Sequence, residues 1–357
     1  MARTARTPLH MHDAQRIALI KPSSLGDIVH ALPVLTALRR RYPQAHLGWV
    51  VNAAYEPLLQ GHPDLDRTIP FDRGTARQGL ASIRRFALLL RRLRHERFDL
   101  VVDLQGLLRS GVMAAASGAR RRLGLSTARE GAAWFYTDIV PVPGDPLHAV
   151  DRYWLVAQAL GAGDGPKLFT LPQRPGEARW AEELLRHRPR PWLFLAPGAR
   201  WETKRWPPAH FASLAQRALD CAGGTVVLIG GAEDQPLAQR LARLVRDSTL
   251  DLTGRTTLPQ LVAALARADV IIANDTGPLH LAAALGRPVL APYTCTRDEL
   301  TGPYGQPGRA VEASIWCQGS LLKRCSRLEC MVRLTPEHLW PLLREMLHSW
   351  KQTLRCA

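Results

Sequence analysis

Short apolar, β-branched runs alternate with segments of helical period along almost the whole chain, and this alternation restricts the fold more than any other feature. Such runs fit strands buried on both faces, and the helical stretches between them fit the crossovers that parallel strands require. The spacing predicts strands at 16–20, 46–51 and 100–103, with helices over 28–41, 81–97 and 148–160. Gly161 to Gly165 then reads Gly-Ala-Gly-Asp-Gly, a composition suited to a linker. The theme resumes with strands at 192–196, 225–229, 250–252, 270–273 and 288–292. Helices are predicted at 208–221, 234–245, 258–266, 279–285 and from Pro336 to about Leu354, with Thr335 as N-cap. At 357 residues the chain has room for two cores. The expected class is α/β: two Rossmann-like domains, 13–162 and 166–334, facing across a cleft, followed by a terminal segment 335–357.

Charge narrows the partners. Forty-seven basic against thirty-one acidic residues give +16, split equally between residues 1–165 and the remainder. There is no basic tail, and the balance favours an anionic partner: nucleic acid, an acidic membrane face or a phosphorylated substrate. Aromatics at 6% and no basic stretch interleaved with them make nucleic acid the weaker choice. No apolar run approaches the roughly 18 residues of a membrane span. Arg3 and Arg6 lead into Pro8, His10, His12 and Asp13 with no apolar core, so no secretory signal is expected and the chain is expected in the cytoplasm. Cys317, Cys325 and Cys330 are spaced too loosely for paired CxxC ligands, so reduced, packed thiols are expected there and no metal or cofactor.

Several polar motifs fall where strands turn into helices. In Lys21-Pro-Ser-Ser24-Leu-Gly26-Asp27-Ile-Val-His30, Ser24 and Asp27 have the spacing of a capping box. A carboxylate at a cleft mouth is equally placed to take a proton from an attacking hydroxyl. Asn274-Asp275-Thr276-Gly277-Pro278-Leu279-His280 follows a buried strand; Pro278 suits the first helical position, leaving the Thr276 and Gly277 N–H groups at a positive helix end. That is a seat for a diphosphate, or an ordinary turn capped by Asp275 or Thr276. The Pro197–Pro207 loop offers Arg200, Lys204 and Arg205 to a leaving diphosphate, or is a solvated charged loop. Glu233, after Gly230-Gly231, is placed to reach a ribose hydroxyl or to start its helix. Gln105 follows the 100–103 strand, and Arg129 and Arg152 are candidates for gripping an anionic acceptor or for surface ion pairs. The basic amphipathic stretch Arg84–Arg94 suits either a helix with a charged outer side or an anionic membrane face.

Taken in order, Lys21 to His30, Lys204-Arg205-Trp206-Pro207, Gly230-Gly231 and Asn274 to His280 resemble the bacterial ADP-heptose:lipopolysaccharide heptosyltransferases, glycosyltransferase family 9. The similarity runs from about residue 16 to the C-terminal helix. It implies a GT-B fold with the last helix packing back toward the first domain, and inverting transfer from a nucleotide sugar without an essential metal. By motif, it makes Asp27 the general base, Lys204 a diphosphate contact, Thr276 and Gly277 the phosphate clamp, and Asp275 and His280 parts of the donor site. Arg200 and Glu233 fall on the donor side, and Ser24, Gln105 and Arg152 on the acceptor side. Thr127-Ala128-Arg129-Glu130 and His148-Ala149-Val150-Asp151-Arg152 are similar to stretches of the enzymes that add the first heptose, where Arg129 would meet the acidic Kdo acceptor. The chain departs from that pattern at Ala199-Arg200, where those enzymes carry hydroxyls, and at Tyr293-Thr294-Cys295-Thr296, where they carry glycine. The resemblance implies an ADP-heptose donor, an anionic glycolipid acceptor, a place at the inner-membrane surface facing the cytoplasm, and no nucleic-acid partner. The alternatives are a relative with another nucleotide sugar or acceptor, or a nucleotide- or nucleic-acid-binding module without catalysis.

Overall fold

The computed structural model describes residues 3–4, 14–72, 79–172, 174–245 and 248–356; residue 13, the expected start of the first domain, lies outside them. The chain divides into two compact units, Met1–Pro172 and Gln173–Ala357. The division falls after the glycine-rich 161–165 stretch because the residues beyond it are tied into unit 1. Lys167 pairs with Asp151, Leu171 is buried, and the Thr170 carbonyl meets Nε2 of His62 at 2.9 Å.

Unit 1 is built on one parallel sheet. Its strands are β1 (Arg3–Thr4), β2 (Arg16–Ile20), β3 (His46–Asn52), β4 (Arg67–Phe71), β5 (Leu100–Asp103), β6 (Arg121–Leu125) and β7 (Asp138–Val140). They lie in the order β1-β7-β6-β5-β2-β3-β4. The central strands are apolar on both faces, since helices cover both sides. The Leu25–Arg41 helix buries an unbroken run from Ile28 to Leu38. Another core joins Ile20, Val50, Ile69 and Val101 to Leu89 and Leu93 of the Gly79–His95 helix. From β2 the chain builds outward to β3 and β4, then returns to lay β5 on the other side of β2. That reversal opens a crevice at the carboxyl ends of β2 and β5, where ligands bind in sheets of this kind.

Unit 2 repeats the plan. Its strands are β8 (Trp192–Ala196), β9 (Thr225–Leu228), β10 (Thr249–Asp251), β11 (Val270–Ala273), β12 (Val289–Tyr293) and β13 (Ala310–Glu312), ordered β10-β9-β8-β11-β12-β13 and all parallel. Here the reversal lies between β8 and β11. The Pro336–Cys356 helix joins this unit's core through Leu339, Leu343, Met346 and Leu347, beside the Pro208–Ala222 helix. Trp206 is fully buried in the same core and donates its ring N–H to the Leu334 carbonyl at 2.6 Å.

Five strands among the described residues lie outside the predicted set: β1, β4, β6, β7 and β13. β4 carries Pro70, which an edge strand tolerates because its outer N–H positions pair with nothing. β6 opens on Arg121-Arg122, and β13 has three half-buried residues. One boundary also shifts: the helix expected from Leu279 spans Gly277–Ala284, so Pro278 is its second residue and Thr276 its N-cap.

Candidate active site

In unit 1 the Lys21–His30 segment leaves β2 at the reversal and starts the Leu25–Arg41 helix. Asp27 uses its two carboxylate oxygens differently. Oδ2 accepts the Ser24 backbone N–H at 3.0 Å and the Ser24 hydroxyl at 2.8 Å, which caps the helix. Oδ1 accepts the Tyr153 hydroxyl at 3.0 Å and lies 3.6 Å from the Lys21 ammonium. Lys21 is buried, donates to the Leu104 carbonyl at 3.2 Å and sits over the Tyr153 ring. Burial alone would push the Asp27 carboxyl up; Lys21, the Ser24 N–H, nearby His30 and the Ser24 hydroxyl outweigh it and hold the group well below the usual carboxylate range. The side chain keeps 37% of its surface exposed, so this anion remains open to a reactant.

The other unit 1 candidates gather around the same crevice. Asp103 anchors the loop after β5: it is buried, takes the Tyr136 hydroxyl at 2.7 Å and caps the Gln105 and Gly106 N–H groups. Gly106 has φ +67° and lies close against Ala128, and its carbonyl accepts the Arg129 N–H at 2.8 Å, which joins the loop of Gln105 to that of Arg129. The guanidinium of Arg152 lies over the ring of Tyr153. Motif reading placed Lys21 and Asp103 at these strand ends without giving either a role, and it missed Tyr153. Tyr153 is 126 residues from Asp27 in sequence, and only the fold brings them together.

In unit 2 the loops after β8 and β11 meet at that sheet's reversal. Lys204 pairs with Asp275 Oδ2 at 2.5 Å, and Nε2 of His280 meets Asp275 Oδ1 at 3.2 Å. Lys204 also lies over the Trp201 ring. Burial pushes the Asp275 carboxyl up, but the His280 hydrogen bond and the Lys204 charge prevail and hold it well below the usual range. With the Asp275 carboxylate engaged and the Thr276 hydroxyl turned back to the Asn274 carbonyl at 3.2 Å, neither side chain caps the Gly277–Ala284 helix. The ordinary capped turn is therefore not what forms. The helix begins at Thr276 with no capping side chain, next to the Lys204–Asp275 ion pair, and a helix N-terminus left in this way can accept an anion.

Arg200 and Glu233 are both exposed. The carboxylate that organises the Gly230–Gly231 loop is Asp234, which accepts the Gly231 N–H at 3.0 Å and fills the space a side chain at Gly198 would need. At the family departures, Ala199 is buried and the Thr294 hydroxyl donates to the Thr203 carbonyl next to Lys204. The Cys330 thiol is buried and pushed up to about 11, first by that burial and then by nearby Cys317. Among the described residues no group of three or more His, Cys, Asp or Glu side chains is arranged to hold a metal ion, and no helix is long and apolar enough to cross a membrane.

Comparison with known proteins adds to this geometry. A family model described as glycosyltransferase family 9 (heptosyltransferase) matches residues 86–331. The chain is 32% identical, over 95% of its length and 100% of the relative's, to lipopolysaccharide heptosyltransferase 1 of Pseudomonas aeruginosa. Two solved structures from Escherichia coli share the fold. ADP-heptose lps heptosyltransferase II has a TM-score of 0.75 and 26% identity, covering 94% of this chain and 99% of that one. Heptosyltransferase WaaC with ADP has a TM-score of 0.71 and 25% identity, covering 93% and 99%.

Proposed function

The chain belongs to glycosyltransferase family 9, the heptosyltransferases, and on that premise we propose that it moves heptose from ADP-heptose to the Kdo or inner-core region of a lipopolysaccharide precursor, with inversion and without a catalytic metal. The observation that carries this reading is the Asp27 carboxylate, fixed by Ser24 on one oxygen and open to solvent on a reversal-point loop. An acceptor hydroxyl attacks the anomeric carbon while the bond from that carbon to the diphosphate oxygen breaks. The hydroxyl proton passes to Asp27, and ADP departs with the bonding electrons. A strongly ionised carboxylate is a weak base toward a free alcohol, but the hydroxyl becomes acidic once its oxygen bonds to carbon, so transfer late in the step suits it.

Negative charge grows on the departing diphosphate. Lys204 and the Thr276 and Gly277 N–H groups meet it with fixed positive ends that need no rearrangement during the reaction. Asp275 and His280 hold Lys204 in place. Arg129, Arg152 and Gln105 face the anionic glycolipid acceptor, and the enzyme works peripherally at the cytoplasmic face of the inner membrane. Turnover of a panel of nucleotide sugars on a Kdo-bearing lipid A acceptor tests the assignment. ADP release that depends on ADP-heptose, on acceptor and on Asp27 supports it. Equal or better turnover with another nucleotide sugar would reassign the donor within the same family.

A further inference from the structure

The Gly79–His95 helix has a charged outer side, but large aliphatic side chains are interleaved with the charge, which a helix that only covers a sheet does not need. Ser82, Phe86, Leu89, Leu90 and Leu93 form its inner face, with Leu89 and Leu93 buried in the unit 1 core. Its outer stripe runs through positions 80, 83, 84, 87, 88 and 91, the repeat of a second helical face. Large aliphatic side chains occupy half of it: Leu80 is 85% exposed, Ile83 67% and Leu88 53%. Arg84 and Arg91 share the stripe and are exposed too, and the helix has five arginines and no acidic residue. The nearby Leu108–Ala116 helix, which packs on both this helix and the 132–135 turn, adds half-exposed Leu108, while the turn itself holds out Trp134 at 86% exposure.

We propose that this outer stripe is a docking surface for an anionic lipid bilayer. Aliphatic side chains kept in water on a helix already anchored from behind gain by entering the boundary between headgroups and acyl chains. Arginines in the same stripe pair with lipid phosphates; the helix itself carries no acid, and the carboxylate shown against it, Asp72, pairs with Arg85 outside the stripe. Charge complementarity favours a bilayer over an apolar protein groove, because the basic and aliphatic residues are interleaved rather than segregated into core and rim. The inference rests on the glycosyltransferase reading only for why a lipid surface would be useful. The surface itself stands on the exposures and charges.

The test is flotation of the full chain with vesicles of phosphatidylglycerol and phosphatidylethanolamine, against vesicles of phosphatidylcholine. The expected result is binding to the anionic vesicles that weakens as salt rises from low to physiological ionic strength. Substituting Leu80→Ser, Ile83→Ser and Leu88→Ser together should lower partition at least about tenfold. Arg84→Gln with Arg91→Gln should lower it about tenfold and flatten the salt dependence. Circular dichroism checks that both variants fold, and ADP release with a soluble, acyl-free Kdo acceptor should be unchanged in each. Vesicle binding that both variants retain in full overturns the proposal, as does salt-sensitive retention of the chain on duplex DNA with no vesicle binding. A wild-type chain that binds vesicles through this stripe yet releases no ADP would sink the catalytic reading and leave the docking surface standing.

Discussion

Replacing Asp27 with Asn separates the structural work of this residue from its chemical work. Asn keeps the shape and one acceptor for the Ser24 N–H, but it leaves the buried Lys21 ammonium without its anion. Two unit charges 3.6 Å apart attract by about 4–5 kcal/mol at an effective dielectric of about 20. Asp27 is 37% exposed, so screening reduces that, and the predicted loss is about 1–3 kcal/mol. Loss of the base should cut turnover by about 10² to 10⁴. The two effects then come apart in Lys21→Met/Asp27→Asn. Removing the stranded charge should bring local stability back to within about 1 kcal/mol of wild type while turnover stays low. Hydrogen exchange of amides in the Leu25–Arg41 helix reads the stability, and ADP release reads the chemistry. The linkage adds a pH signature. The Asp27 contribution, from a depressed carboxyl, is present above its unfolded value near about 4 and fades as pH falls through the folded value. Lys21, where burial opposes but the Tyr153 and Asp27 charges raise the pKa, contributes below about 10.4 and loses that contribution as pH rises through the folded value. The Asn variant should lack the acid-side fade. Turnover within threefold of wild type would refute the base assignment, and unchanged helix exchange would refute the ion-pair reasoning.

Three further outcomes are expected. Lys204→Met should weaken ADP binding at least about tenfold in calorimetry, and Gly277→Val should weaken it by obstructing the helix end; unchanged affinity in both would remove the diphosphate from this seat. Tyr153→Phe removes a donor from Asp27 Oδ1 and should move the acid limb of kcat/KM upward by up to about one pH unit, with a static limb assigning Tyr153 to packing alone. Iodoacetamide at pH 8 should label Cys325, lowered by the Leu328 and Arg327 N–H groups, well before buried Cys330, and the reverse order in peptide mapping would contradict the packing of the 317–330 segment.

Much of this molecule was readable in its residues for a specific reason. β2, β5, β8 and β11 are central strands, buried on both faces, so their apolar runs are continuous and their ends coincide with the predicted ones. The site motifs follow these same strands, which is why strand-to-helix turns led to Asp27, Lys204 and Asp275. Edge strands announce themselves less, as Pro70 in β4 and the three half-buried residues of β13 illustrate. Side-chain direction was beyond reach. Ser24 and Asp27 spell a capping box, and half of that box forms, yet the second carboxylate oxygen belongs to Tyr153 and Lys21. The Arg84–Arg94 segment announced its charge, but only the packed helix shows which leucines are left in water.

On the proposed reading, in which the donor's diphosphate sits at the bare start of the Gly277–Ala284 helix, that diphosphate is a structural component as well as a cargo. A helix without a capping side chain is short of about 1 kcal/mol that a Ser, Thr or Asp at its N-cap ordinarily supplies. An anion seated there completes the first turn, so occupancy and local order become one equilibrium. If nucleotide binds there as proposed, mass action requires unit 2 to melt at a temperature set by the nucleotide concentration around it, and amides at the start of this helix to report the fraction of enzyme loaded.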